Sequence, residues 1–432
     1  MSRRLLSIVA INLLVFCVLA ELLALAYYYV QHGTLFYTNH VSRERVGTAE
    51  EQNRLTGEAL HPYFGPTHEP GQPFNIPGQL REPGTPPPDA KTNNFGFVSA
   101  YDYPFRKAND RQFILGMFGG SVGVWFCELG APRLVDALQR DPFFRDKEIV
   151  PLCFSHEGYK QPQQLLVLAY FLSIGQPFDL VLNIDGLNEV ALGALNDEHG
   201  LDFSMPSVQH IDPLINLIDQ ATLTPDKLRS LTAIEDDKAR INSLADRIDR
   251  TRIAAVDFVL EQLYDRAQNA YARELGRFSN LPSKPSAASL VRVTPRAPGR
   301  VGSTLYQDIA QNWVSASVLM NQMLAARRIP FVHVLQPNQY ASGRKFSPAE
   351  AAVALSDASP FKKPVERGYP DLRAASAALK PQVSFLDATG AFDREEAAMY
   401  MDNCCHYTLA GNRRLADVIA PFLLSRLHDV GQ

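Results

Sequence analysis

A chain of 432 residues with 46% hydrophobic and 20% charged side chains is long enough to bury one large core or two smaller ones. A formal charge of −4 offers no basic surface for nucleic acid, which sets that class of partner aside. Five cysteines are too few for a disulfide scaffold and lack the paired spacing of a zinc site; with Cys17 in the first apolar segment, Cys127, Cys153, Cys404 and Cys405 remain for the folded part.

Arg3 and Arg4 precede an apolar run from Leu5 to Ala26, which at helical rise spans about 33 Å and can cross a bilayer core. Tyr27, Tyr28 and Tyr29 follow at the depth of an interfacial aromatic belt. Residues 1–38 therefore read as a membrane anchor. The arginines favour a cytoplasmic N-terminus and an extracytoplasmic remainder, an orientation that Arg43 and Arg45 oppose. The competing reading is a cleaved signal: Ala24-Leu25-Ala26 fits a signal-peptidase site, but the run is longer than most cleaved signals. Phe16 stands where a lipoprotein signal wants a small residue before Cys17. Asn12 and Glu21 are costly in lipid and call for a partner helix or, for Glu21, for water near the end of the span.

Residues 39–92 read as a Pro-rich spacer or surface wrap, since prolines recur from His61 to Ala90 and Arg81–Asp89 can form neither a helix nor an interior strand. The apolar run from Phe113 to Phe118 then stops at Gly119-Gly120-Ser121, the pattern of a buried strand turning into a helix. Ser121 would stand at that corner, where open α/β sheets bind ligands; taken alone, the motif reads more simply as a turn with Ser121 as helix N-cap.

Leu134–Leu138 reads as a short amphipathic helix, and Glu148–Phe154 as a second strand running into Ser155-His156-Glu157-Gly158. A helix over Pro162–Ile174 leads to a third strand, Phe178–Ile184, which ends in Asp185-Gly186-Leu187-Asn188-Glu189. Residues 196–302 break the pattern as a helical insertion, with Ile241, Leu244, Ile248, Ala255 and Val259 on one helix face and Asp236, Asp237, Lys238 and Arg240 on the other. The alternation resumes over 303–432 with a helix over 304–327, a strand Pro330–Leu335, a helix over 365–379 and a strand Val383–Leu386. His333 alternates with apolar neighbours and reads as a packed core histidine. Strand and helix alternating over 93–195 and 303–432 predict an α/β fold, a five-stranded parallel sheet with helices on both faces. Gly158 and Asn188 should then share an edge with Ser121.

The last segment, from Tyr400 through Asp402 and His406 to Asn412, opens a helix with Leu415, Val418, Ile419, Phe422 and Leu423 on its apolar face. A histidine with an aspartate one turn earlier is what a serine nucleophile requires, the imidazole accepting the hydroxyl proton and the carboxylate holding its tautomer. The alternative is that Asp402 caps a turn and His406 is incidental.

In this order, Gly-Gly-Ser121, Gly158, Gly-Leu-Asn188-Glu and Asp402…His406 resemble the SGNH branch of the GDSL hydrolase family over most of 94–427 outside the insertion. The resemblance implies a three-layer α/β/α fold, Ser121 as nucleophile, and Asp402 and His406 as the rest of a triad. It also implies an oxyanion hole from the Ser121 N–H, Gly158 and Asn188. Three departures stand out: Gly120 replaces the usual Asp, Glu189 replaces the Asp after the third-block Asn, and Asp402 lies four residues before His406 where three are usual, leaving Asn403 at the standard place. Either the loop bulges by one residue or Asp402 is not the orienting acid. Cys404 and Cys405 are either oxidised, with Cys127 or Cys153 as partners, or buried as free thiols.

The function implied is a membrane-anchored serine esterase or acyltransferase acting on O-acyl groups of a small molecule or an envelope polysaccharide. No cofactor and no metal is implied. From another class comes a catalytically inactive binding or assembly component with an envelope protein partner.

Overall fold

The computed structural model describes residues 3–38, 41, 43, 58–77, 80, 90–219, 223–282, 291–298 and 302–430. Helix α1 (Arg3–His32) is followed by strands β1 (Glu58–His61) and β2 (Gly65–His68), then by β3 (Gln112–Gly119), α2 (Ser121–Trp125), α3 (Ala131–Gln139), β4 (Glu148–Ser155), α4 (Gln163–Ser173), β5 (Leu180–Asp185) and α5 (Leu187–Glu198). Helices α6 (Val208–Ile218), α7 (Pro225–Arg250) and α8 (Ala254–Asn280) interrupt the alternation. It resumes with α9 (Gly302–Ala325), β6 (Phe331–Leu335), α10 (Pro348–Ala354), α11 (Lys362–Leu379), β7 (Ser384–Asp387) and α12 (Leu409–Val430). Two compact units result: Met1–Thr56 with Ile215–Leu290, and Gly57–Leu214 with Val291–Gln432.

The larger unit is α/β. Its five strands pair in parallel in the order β4-β3-β5-β6-β7, the five expected from the apolar runs. Strands covered on both faces need continuous apolar sequence, and Phe113–Phe118 and Leu180–Ile184 are buried throughout. The helices between the strands pack in two sets, α3 with α12, and α9 with α4 and α5, α11 joining both α9 and α5. Phe154 of β4 stacks on Phe118 at 4.9 Å and meets Phe171 of α4 edge-on at 4.8 Å, so the first two strands and α4 share one aromatic core.

Residues 58–77 correct the spacer reading. β1 and β2 form an antiparallel hairpin, and Phe64 at its turn is buried against Phe97, Phe171 and a stacked His61. Pro66 excludes an interior strand, but in a two-stranded ribbon each strand keeps an outer edge that needs no N–H partner. Ile76 and Leu80 are also buried, beside Leu129. Arg81–Asp89, the most Pro-rich part, lies outside the described residues.

In the smaller unit, α1 contains a segment, Ile11–Gln31, of mean hydropathy 2.2, long and apolar enough to cross a membrane. Glu21 in this segment has partners in its own chain: it accepts the N–H groups of Ala254 and Ala255 (2.8 and 2.9 Å) and the Tyr37 hydroxyl (2.5 Å). The first turn of α8 has no intrahelical acceptors for those N–H groups, so the carboxylate serves as its cap. The helix pair α7–α8 buries Ile241, Leu244 and Ile248 against Leu260, Tyr264 and Ala267. The single face expected through Ala255 and Val259 is broken at Thr251–Ile253; Val259 lies on α8 and is exposed, whereas Lys238 is buried and bonded to Glu235.

Candidate active site

Strand register levels the site. Gly119 pairs with Ser155 on one side and with Ile184 on the other, so the segments after β3, β4 and β5 emerge at one edge of the sheet. From β3 the chain crosses to β4 on one side, while β5, β6 and β7 follow on the other. The crevice beyond β3 and β5 is thus the switch point at which open parallel sheets hold ligands. Ser121 begins the helix after β3, and Asn188 lies in the first turn of the helix after β5.

His406 arrives at the same edge from 285 residues away, its Nε2 2.8 Å from Ser121 Oγ. Its Nδ1 lies 2.5 Å from Asp402 Oδ2. A carboxylate can only accept, so Nδ1 carries the proton and Nε2 is left to receive the serine hydroxyl's. The other oxygen, Oδ1, accepts the N–H groups of Cys404, Cys405 and His406 at 2.9, 3.0 and 3.2 Å. Asp402 therefore caps the turn and orients the imidazole at once. The loop is closed by Met401 N–H to His406 O (3.0 Å) and by the Tyr400–Tyr407 bridge, which accommodates the extra residue. Asn403, three residues before His406, presents its carbonyl to the hydroxyls of Tyr340 and Ser359. Burial works against ionising Asp402, but the His406 contact and the backbone N–H groups prevail and hold its carboxyl below the ordinary value. The side chains of His406 and Asp402 are 22% and 33% exposed, so the relay is open to a reactant.

Gly120 and Asn188 explain each other. A Cβ on residue 120 would stand 2.1 Å from Asn188 Nδ2 and 3.0 Å from the Tyr159 carbonyl, so an aspartate there would have no room. The Asn188 amide donates to that carbonyl at 2.9 Å, which fixes it beside the serine corner with a second N–H to offer. Gly158 has φ +74°, and a Cβ on it would strike the His210 ring at 2.3 Å; it stands one residue before the carbonyl that holds Asn188. Glu189 accepts the N–H of Gly186 (2.8 Å) and of Gln161 (3.1 Å), tying the loop after β5 to the loop after β4. Burial, and then the Asp185 charge, push its carboxyl up to about 8.

A second Ser–His–Asp arrangement lies in the core. Ser317 Oγ and Asp185 Oδ1 each lie 2.7 Å from a His333 ring nitrogen, and Asp185 also accepts from Trp313 and Asn183. Ser317 and His333 are wholly buried and Asp185 is 2% exposed. With no access for a reactant, this network cross-links β5, β6 and α9, in keeping with His333 as a core residue.

Several contributors to the site carry no motif. Asn338, Gln339 and Tyr340, after β6, donate to the carbonyls of Cys404, Asp402 and Asn403 at 3.1, 3.0 and 2.9 Å. Glu350 accepts the N–H groups of Met399 (2.7 Å) and Tyr400 (3.1 Å) and pairs with Arg344 at 2.7 Å, both side chains buried. The recurrence of strand-end loops at one edge is the only sequence signal for the 338–340 group. Cys127 and Cys153 form a disulfide, their Cα atoms 5.9 Å apart, and this corrects the pairing considered for Cys404 and Cys405. Cys127 lies on the π-helical turn after α2 and is joined to β4, whereas Cys404 and Cys405 are free thiols with Sγ atoms 3.1 Å apart. No protein-family model matches the chain, and no curated protein is significantly similar to it in sequence.

Proposed function

We propose that the chain is a serine esterase or O-acyltransferase of SGNH type, its two helix sets and sheet forming the α/β/α layers of that fold. The reading is carried by the continuous relay from Ser121 Oγ through His406 to Asp402, half-exposed at the switch point. In the first half-reaction Ser121 Oγ attacks an ester carbonyl while His406 Nε2 takes its proton, and Asp402 stabilises the imidazolium. The tetrahedral oxyanion is held by the N–H groups of Ser121 and Gly158 and by the Asn188 amide, each donor being worth about 3 kcal/mol in the transition state. Collapse expels the alcohol, which takes the proton from His406, and leaves acyl-Ser121. Water, or a sugar hydroxyl, then gives its proton to His406 and attacks the acyl carbon. Collapse breaks the bond to Ser121 Oγ, which takes the proton back from His406 and releases the acid or the acylated sugar.

A disulfide between Cys127 and Cys153 suits an oxidising compartment, and α1 suits an anchor, which together favour an extracytoplasmic enzyme acting on acylated carbohydrate of the envelope. The test is labelling of the full chain in detergent with a serine-reactive phosphonate. Wild type takes one label at Ser121, Ser121→Ala takes none, and Asp402→Asn reacts about 10⁴-fold more slowly because the imidazole loses its tautomer. A folded wild-type chain that stays unlabelled overturns the proposal in favour of an idle binding component. Partition of the acyl-enzyme between water and a glycan acceptor separates hydrolysis from transfer.

A further inference from the structure

Next to Gly158, the β1–β2 hairpin, the turn after β4 and α6 bring together Glu58, His68, His156, Glu157 and His210. His156 is completely buried. Its Nδ1 donates to the Glu157 carbonyl at 2.8 Å, which leaves a lone pair on Nε2. That lone pair faces Glu58 Oε1 at 3.8 Å and Glu157 Oε2 at 4.0 Å, and no hydrogen bond reaches it. Glu157 Oε2 stands 2.9 Å from His68 Nε2, yet neither atom makes an aligned hydrogen bond. The two Nε2 atoms and Oε2 all lie within 4.8 Å of one another. Buried polar atoms are normally satisfied, and His156 Nε2, left without a hydrogen bond beside the His68–Glu157 pair, offers a lone pair to a cation.

We infer that this cluster binds one divalent transition-metal ion of the Zn²⁺ class, through His68 Nε2, His156 Nε2 and Glu157 Oε2. Imidazole with carboxylate is a borderline donor set that suits Zn²⁺ over Mg²⁺ or Ca²⁺. Ligand atoms about 2.0 Å from a tetrahedral ion lie about 3.3 Å apart, and the pairs at 2.9 and 4.0 Å, the third within 4.8 Å, lie around that spacing. The outer contacts have the form such sites use: the His156 Nδ1–H is held by a carbonyl, and His210 Nδ1 lies 2.6 Å from Glu58 Oε1, orienting that carboxylate. Three protein ligands leave the fourth tetrahedral position to a water, held near Glu58. Because Gly158 follows Glu157 and packs on the His210 ring, the ion ties the hairpin to the loop carrying one of the proposed oxyanion donors.

The test uses the full chain in detergent, stripped with a chelator and titrated with Zn²⁺ by calorimetry and with Co²⁺ by absorption. One ion binds per chain, and Co²⁺ gives the intense visible bands of a four-coordinate N/O site without a thiolate charge-transfer band. His156→Ala and Glu157→Gln each weaken binding by about 100-fold or more, whereas the Cys404→Ser/Cys405→Ser double variant binds as wild type. Glu157→Gln, near-isosteric, decides the matter should His156→Ala misfold. Absence of stoichiometric binding to wild type, binding that survives Glu157→Gln, or a cobalt–thiolate band that disappears with the cysteines overturns the inference. Ser121→Ala retains the ion, so failure of the esterase reading leaves this result standing.

Discussion

The two carboxylate oxygens of Asp402 serve different groups, one collecting three backbone N–H donors of its own turn and the other the imidazole of His406. The two readings open at this residue in the sequence, turn cap and orienting acid, are therefore both met by the same side chain. Another carboxylate is set by its surroundings alone: burial pushes Glu128, on the π-helical turn after α2, up to about 7 from an ordinary value of 4.5. The folded chain then keeps a proton that the unfolded chain releases between those values. Stability is full below about pH 4.5 and falls as pH rises towards 7, by at most about 1.4 kcal/mol per unit. Glu128→Gln is expected to melt like wild type at pH 4.5 and to be more stable by on the order of 2 kcal/mol at pH 8. Urea unfolding followed by tryptophan fluorescence at the two pH values checks this, and an offset independent of pH would refute it.

At the scale of elements, the segment between β7 and α12 is held by neighbours rather than by regular structure of its own. Arg344 donates to the carbonyls of Phe392, Glu395 and Ala397 as well as to Glu350, whose Oε1 accepts the N–H groups of Met399 and Tyr400. Glu350→Ala strands a buried guanidinium and two N–H groups, and is expected to cost about 3–5 kcal/mol. By contrast Arg133–Asp417, which links α3 to α12 with side chains 41% and 33% exposed, should yield under about 1 kcal/mol on Asp417→Asn. Thermal melts of the two variants test the ordering, and equal losses would contradict it. Thr408, whose hydroxyl accepts the Gly411 N–H at 3.1 Å, starts α12 right after the Asp402–His406 turn.

At the scale of the whole molecule, one chain carries an apolar N-terminal helix and an α/β unit with a five-stranded parallel sheet. Of the apolar window within Ile11–Gln31, 11% is buried inside the protein, and the segment is long and apolar enough to cross a membrane. The full chain is expected to stay in the membrane pellet through alkaline carbonate extraction and to keep the segment Leu5–Ala26. A mature chain beginning at Tyr27 would show instead that Ala24–Ala26 is cut.

Five apolar runs, the helices between them and the residues that meet at the serine corner were legible in the sequence alone. Strand burial, helical amphipathy and glycine turns are properties of short windows, and the spacing of those windows orders the sheet. Only the tertiary structure decided that a four-residue gap between Asp402 and His406 still closes the relay, through a turn folded around one carboxylate oxygen. It alone paired Cys127 with Cys153, gave Glu21 the first turn of α8 as its partner, folded 58–68 into a hairpin and gathered histidines and glutamates from positions 58 to 210. Each of these joins groups with no shared local pattern, and which buried donor meets which acceptor is settled by packing, where an unpaired polar group is too costly to leave.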